Sequence, residues 1–597
     1  MKGALIRIRE HRGTDTGAVA VLVAVLVPAF LMFAALAVDV ARWYVEGERL
    51  QKAADAAALA GVVFMPQDFA TAQSTALNIA GDNGYTPSSK VTIVVQPGGK
   101  PSQLRVTIKS TVSNAFGSFA GFPTTDVERT SVADYVGPAP MGSPCNTYGN
   151  QPAGAVGQAG SAIPATPVNS LCKTNPTFWA NIEGPLTTKV QGDQFMNRVC
   201  AGGESNCSGT QNNDFNPDGV QGYFFLVEVK AGAGAVDLQL YDPAWIYTGV
   251  DCSALPSSWP SNNMNSYVND ARARYYDGND DAVVNGRPTF CTGDYAPGRS
   301  DTGVRVDTSF ALRAASSPDT GDPTDSTVVP GCIKQYKGST TAPGVTQLQQ
   351  YNTAGNPGSG NNPAYVDELA QVFHRWTSLC TITSPGRYYL QVRTNVPLPS
   401  MSSTQYIASG NNNVVSQTGD NTSMNGSGSN AFAIRGVAAT DGTKVAVSAY
   451  ERMPTDINTG TGGSGTVFNL IRVIPAAQGK QLRFQFFDAA DGSGSGGTIR
   501  VNRPADATGS IMSGSGIAGC VASGPVTGNL SNCSVSVSPS ANNGKLQTIT
   551  IPIPADYSCN STSPGGCWFT VQINYSQATD VMTWNARITG DPVRIVE

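Results

Sequence analysis

GAVAVLVAVLVPAFLMFAALAVDVARWYVEGERLQKAADAAALAGVVF, residues 17–64, is the stretch on which the reading of the whole chain turns. Its first part, 18–38, is an uninterrupted apolar run that as a helix is about 31 Å long, the hydrocarbon thickness of a bilayer. It reads as a membrane-spanning helix. Pro28 is tolerable there, because a membrane helix satisfies the freed carbonyl locally and accepts a modest kink. Before the run stand Lys2, Arg7, Arg9 and Arg12 against Glu10 and Asp15; after it comes a mixed set, Asp39, Arg42, Glu46, Glu48 and Arg49. The basic flank belongs in the cytoplasm. The expectation is a single-pass cell-membrane protein, with a cytoplasmic segment 1–17 and everything from Asp39 onward outside the cytoplasm. A cleaved secretory signal shares the basic-then-apolar order, but this run exceeds a usual signal core and passes straight into further helical periodicity.

From 39 to 64 the chain is rich in alanine, with Arg42/Glu46 and Glu48/Lys52 at helical i, i+4 spacing. The helix is expected to continue out of the membrane. Ala53, Ala54, Ala56, Ala57, Ala58 and Ala60 add little bulk, so another helix or a sheet could approach closely, although alanine also simply favours helix. Leu50, Ala53, Ala54, Asp55, Ala57 and Ala58 are the candidate packing residues of this neck.

Three pieces, GAVAVLVAVLVP at 17–28, Val38-Asp39-Val40 and LQKAADAAALAG at 50–61, together resemble the N-terminal domain of the TadG-like Flp pilus-assembly family, over about residues 13–64. The resemblance implies a component of the tight-adherence (Tad) machinery that builds Flp pili, acting by contact with pilin-like and other Tad assembly proteins. Processed pilin-like relatives have a glycine before the run and a glutamate five residues on. Here Gly17 is followed at that spacing by Leu22, which favours a retained anchor over a major pilin. Some TadG-like proteins carry a von Willebrand A domain with a metal-dependent adhesion site; its Asp-x-Ser-x-Ser loop is not in this sequence.

All twelve cysteines lie after residue 144, an even number confined to the part placed outside the cytoplasm. They read as disulfides of an oxidised ectodomain, with free buried thiols as the alternative. Cys200 with Cys207 and Cys559 with Cys567 are close enough to be local staples; connectivity is otherwise open. No Cys-x-x-Cys occurs and the histidines are His11 and His374 alone, so zinc-finger and thioredoxin readings lack ligands or motif.

The whole chain holds 65 Gly and 38 Pro with only 14% charged residues, yet 40% hydrophobic residues supply ample core for a body beyond the helix. It should be folded, loop-rich and mainly strand. A net charge of −5 gives no basic field for a phosphate backbone, which excludes nucleic acid as a partner. Residues 68–81 read as a short helix, and 91–96, 103–112 and 127–136 as strands, the first two joined by the turn residues 97–101. Together with the long helix they form a pilin-like helix-on-sheet neck module, 39–136. A Pro/Gly linker is expected at 137–170, a β-rich ectodomain at 171–400, a linker or long loop at 401–430 and a second β-rich ectodomain at 431–597.

Strand candidates begin at Tyr223, Leu238, Ser309, Tyr388, Phe432, Phe468 and Leu482, a pattern of sandwiches. Two parallels suggest a duplicated sandwich: 226–229 with 238–244 against 470–473 with 484–490, and 310–314 against 432–436. Independent strands of similar composition would look alike. The fold class is α+β: a transmembrane helix, a pilin-like module and a disulfide-containing, mainly β ectodomain.

Chemistry is sparse. There is no phosphate-binding loop, no His-Glu-x-x-His and no nucleophile motif with a suitable histidine. His374, in Val-Phe-His-Arg-Trp, is the sole extracytoplasmic histidine and reads as a packed polar residue. Asp214-Phe-Asn216-Pro-Asp218-Gly219 looks like the first half of a calcium loop, but position twelve is Phe225 where a bidentate glutamate belongs; a plain turn is the better reading. No cofactor and no enzymatic activity are expected. A matrix- or carbohydrate-binding adhesin and a surface hydrolase are the alternatives to pilus assembly.

Overall fold

The computed structural model describes residues 16–65, 69–99 and 103–135, and most of the chain from 139 onward; its longer omissions are 152–171, 247–282, 295–305, 339–371 and, apart from 406 and 407, 395–425. The chain forms two compact units, the first from 1–135 with 591–597, the second from 136–590.

In the first unit α1 (Thr16–Val62) runs 47 residues through Pro28 without interruption, and α2 (Phe69–Asp82) follows. Strands β1 (Val91–Pro97), β2 (Gln103–Ser113) and β3 (Thr124–Tyr135) form an antiparallel sheet, in register at Val95↔Val106 and Val106↔Ser131. The alternation along β2 turns Leu104, Val106 and Ile108 inward, and this apolar face packs with Leu50, Ala53, Ala54, Ala57 and Ala58 of α1 and with Ala72, Ala76 and Ala80 of α2. The helices meet almost backbone to backbone. A Cβ on Gly61 would lie 2.7 Å from the Ala72 carbonyl oxygen and 2.6 Å from Leu104 Cδ2. A fourth strand comes from the far end of the chain: Val593–Ile595 pairs antiparallel with Ala133–Tyr135. The second unit is thus an insertion, in sequence, between the last two strands of the first.

The second unit is built from two sets of eight strands. The first set, in chain order, is Phe178–Glu183, Tyr223–Val229, Val236–Tyr241, Thr308–Ala314, Thr327–Tyr336, Trp376–Ile382, Gly386–Thr394 and Ser429–Ala438. The second is Arg452–Asn458, Thr466–Arg472, Gln481–Phe487, Gly497–Asn502, Ser534–Val537, Leu546–Pro552, Trp568–Ile573 and Thr579–Thr589. In each set strands 1, 8, 3 and 6 lie side by side in one sheet and strands 2, 7, 4 and 5 in the other, which is a jelly-roll order.

The two sets join edge to edge. First strand meets first strand at Thr455↔Ala180, and in the other sheet Val445–Tyr450 and Pro140–Met141 fill the space between the two second strands. One apolar core therefore runs through both, with Phe178 of the first set 5.7 Å from Phe468 of the second, ring centre to ring centre.

Three details depart from the sequence reading. Within the expected linker 137–170, Pro140–Met141 is a strand that fills the gap between two sheet edges and Thr147–Tyr148 pairs with Ile434–Arg435, and Met141, Cys145 and Tyr148 are buried. Ser429–Ala438 completes the first set by pairing with Val236–Tyr241, so the change from one set to the next falls after it. The parallel 226–244 against 470–490 joins strands 2 and 3 of the two sets, but 310–314 and 432–436 are strands 4 and 8 of the same set; their likeness reflects a shared requirement for buried aromatic and aliphatic residues.

Five disulfides lie among the described residues: Cys145–Cys172, Cys200–Cys207, Cys332–Cys380, Cys520–Cys533 and Cys559–Cys567. Cys252 and Cys291 fall outside them.

Candidate functional site

From sequence, the alanine-rich stripe of α1 is a face that another helix or a sheet can approach closely, whether of this chain or of a partner. The structure turns it inward: Leu50, Ala53, Ala54, Ala57 and Ala58 are all buried in the core of their own module. Period and small size are what any close-packed helix face needs, and here the chain's own sheet and α2 supply the partner. Asp55 is half-buried beside this face and accepts a hydrogen bond from Gln51 Nε2 at 2.8 Å.

What α1 leaves open is its other end. Val21 through Val38 is exposed at almost every described position, and Val40, Tyr44 and Val45 extend the apolar surface beyond it. Asp39, the first charge after the run, is the exception, with 1% of its surface exposed. Its carboxylate accepts the backbone N–H groups of Ala115 (2.6 Å), Phe116 (3.0 Å) and Gly117 (2.7 Å). Burial by itself raises the carboxyl pKa, but the three N–H donors together with Arg42 outweigh it and hold the group below its ordinary value.

The loop that Asp39 grips connects β2 to β3 and is tied at its base by Asn114. Trp43 Nε1 donates to Asn114 Oδ1 at 2.8 Å, while Asn114 Nδ2 donates to the Phe122 carbonyl at 2.7 Å and to Thr125 Oγ1 at 3.0 Å. The Gly117–Ala120 turn of 3₁₀ helix closes on Gly121, whose φ of +88° suits glycine. At its rim Phe116, Phe119 and Phe122 are 46%, 89% and 69% exposed. Between this rim and the helix from Leu31 to Asp39 runs an open apolar groove of about 740 Å³. Further along α1, Tyr85 packs against Glu46, and burial followed by that neighbouring charge pushes its phenol up to about 12.

Residues 17–72 match the family model described as "Putative Flp pilus-assembly TadE/G-like". No curated protein and no solved structure matches the chain. The TadE/G-like segment thus contains all of the apolar run, Asp39 and the buried alanine face, and it ends within α2. The loop 114–123 and the whole second unit lie beyond it.

Outside the TadE/G-like segment, the other sequence candidates have structural surroundings. Cys200 bonds Cys207 and Cys559 bonds Cys567; Glu204, close to the first pair, accepts the Gly202 N–H at 2.6 Å. With both sulfurs in a disulfide, that cluster offers no thiolates to a metal. Asp214 of the calcium-like stretch accepts from Lys189 Nζ at 2.8 Å, Gln194 Nε2 at 3.2 Å and Asn206 Nδ2. A carboxylate neutralised by a buried lysine is poorly placed to hold calcium; Asn216 and Asp218 lie outside the described residues. His374 is fully buried, stacked on Phe373 at 3.9 Å between ring centres, with Nε2 3.4 Å from Asp242 Oδ2.

The Asp39 clamp escaped the sequence reading because its partners are 76 to 78 residues away. The loop itself had a signal: phenylalanine at every third position among small residues, in a stretch 110–125 without a charge. Replacing Asp39 by alanine is expected to speed amide hydrogen exchange at Ala115, Phe116 and Gly117 while leaving β1 and β2 protected. Unchanged exchange at those three amides would show that the clamp is idle.

Proposed function

We propose that this protein is a membrane-anchored structural component of Flp-type pilus assembly, with its amino terminus in the cytoplasm and its paired jelly rolls outside, acting by protein–protein contact. The single observation that supports this best is the coincidence of the TadE/G-like match with a helix whose apolar part has no burial within the protein. A helix surface of that length and composition needs lipid or other apolar helices around it. The cysteines, placed in the second unit, agree with an oxidising compartment on that side. The role is structural rather than catalytic, in keeping with a buried His374.

Protease added to intact cells should remove the cysteine-bearing region and spare residues 1–17. The mass of the membrane-extracted chain should include those residues, since Leu22 stands where a processed pilin has glutamate. Deletion of the gene should abolish or reduce piliation. Protection of the cysteine-bearing region would reverse the orientation, a chain beginning at Ala18 would make the protein a processed subunit, and normal piliation in the deletion would move its function to surface adhesion.

A further inference from the structure

The loop between β2 and β3 puts three phenylalanines on the surface within seven residues, beside a helix long and apolar enough to cross a bilayer. We propose that this loop enters the outer leaflet, with Phe116, Phe119 and Phe122 in the boundary between headgroups and acyl chains, as a second membrane contact that Asp39 locks to the spanning helix. The proposal rests on the reading that 18–38 crosses the membrane.

Depth is the first argument. The groove shared by the loop and α1 extends from Asp39 back to Leu31, and eight residues of helix are about 12 Å. If the helix that lines this groove is in hydrocarbon from Leu31 to Val38, Phe119, which lines the same groove, is beside the membrane boundary and not in bulk water. The second argument is energetic: burying a phenylalanine is worth about 1.5–3 kcal/mol. Three rings held open to water forgo that gain, while three in lipid realise it.

The third argument is polar satisfaction, which a segment in lipid requires. The N–H groups of Ala115, Phe116 and Gly117 go to Asp39, that of Asn114 to the Pro123 carbonyl, Phe119 to Phe116, Gly121 to Ser118 and Phe122 to Gly117. Asn114 Nδ2 takes the Phe122 carbonyl. The loop thus pairs most of its backbone N–H groups without water. Asp39 becomes intelligible in the same terms, because a carboxylate at the edge of the hydrocarbon is costly unless donors surround it. Trp43 and Tyr44, one turn further out, stand where interfacial aromatics belong. Two membrane contacts on one rigid module, where one would leave it free to swivel, fix its height and rotation.

The test uses the full chain reconstituted in phosphatidylcholine bilayers whose acyl chains carry bromine, with Phe119→Trp and, in the span, Phe33→Trp. Each is read as the tryptophan signal added to that of the wild type. Phe119→Trp should show blue-shifted emission, loss of signal with bromolipid and no loss with aqueous iodide, as should Phe33→Trp. If Phe33→Trp responds in this way but Phe119→Trp is quenched by iodide, or by neither agent, the loop lies in water or against protein and the proposal fails while the anchor stands. If Phe33→Trp is also insensitive to bromolipid, the anchor reading fails and the loop proposal falls with it.

Discussion

Replacing Ala54 and Ala57 together by leucine is expected to unfold the helix-on-sheet module, well before any effect on partner binding can be read. Both residues have no exposed surface and sit in the core with Leu104, Val106 and Ile108 of the sheet. The neighbouring contact at Gly61, where even a Cβ would meet a carbonyl at 2.7 Å, shows how little room this interface holds. Overpacking a well-filled core costs about 1–3 kcal/mol per site, and two sites in adjacent turns approach the whole stability of a small domain, about 5–15 kcal/mol. Limited proteolysis of the full chain should therefore open 39–135 in the double variant while leaving the second unit resistant. Ala56→Leu, on the half-buried flank, should cost much less. A double variant with wild-type resistance that nevertheless lost its pilin-like partners would put the alanine face at an interface between subunits and overturn its place in the core.

That alanine face shows how far the sequence can be read. Helix, period and small-residue stripe were all legible in LQKAADAAALAG, as was the hairpin of β1 and β2, because each is written within a dozen residues. Which surface fills the stripe was not legible, since an alanine face fits the chain's own sheet and a neighbour's helix equally well. Asp39 read as a flanking charge because its three donors lie in another part of the chain. Strands were found where aromatic and aliphatic residues alternate, as at Tyr223–Val229 and Gln481–Phe487. Some were passed over where a breaker interrupts them, Pro330-Gly331 in Thr327–Tyr336 and Pro454 in Arg452–Asn458, or where they are as short as Ser534–Val537, but Leu546–Pro552 and Trp568–Ile573 carry no such interruption and were passed over as well. Nothing local announces that 593–595 closes a sheet begun near residue 91, or that first strand meets first strand. Such long-range pairings are chosen by the fit of whole edges.

Alanine at Asp488 should destabilise the second unit by about 1–4 kcal/mol, and the reason lies in the duplication. Asp242 and Asp488 each follow the third strand of their set, each is fully buried, and each adopts positive φ, +47° and +65°. The Asp242 N–H donates to the Arg375 carbonyl at 3.2 Å and the Asp488 N–H to the Lys545 carbonyl at 3.1 Å, in both cases at the entry to strand 6. The residues before those acceptors, His374 and Gly544, are also left-handed, with φ +45° and +63°. Gly544 N–H bonds the Asp488 carboxylate, and His374 Nε2 lies 3.4 Å from Asp242. A histidine whose counterpart in the second set is glycine is filling a corner of the fold.

Left-handed backbone costs a residue with a Cβ about 1–2 kcal/mol, less for Asn and Asp, and an orphaned buried N–H about 1–3 kcal/mol. Asp488→Ala incurs the orphan and the part of the strain that aspartate escapes. Asp488→Gly removes the strain but not the orphan, and Asp488→Asn keeps an acceptor and tolerates the backbone. Denaturant midpoints, followed through Trp584 in the core of the second set, should fall in the order Asn, Gly, Ala, and the same ranking should hold at Asp242. A ranking with Gly above Asn would mean that the carboxylate bond contributes little and that backbone geometry alone preserves the corner. An Asp488→Ala protein as stable as wild type would mean that neither does.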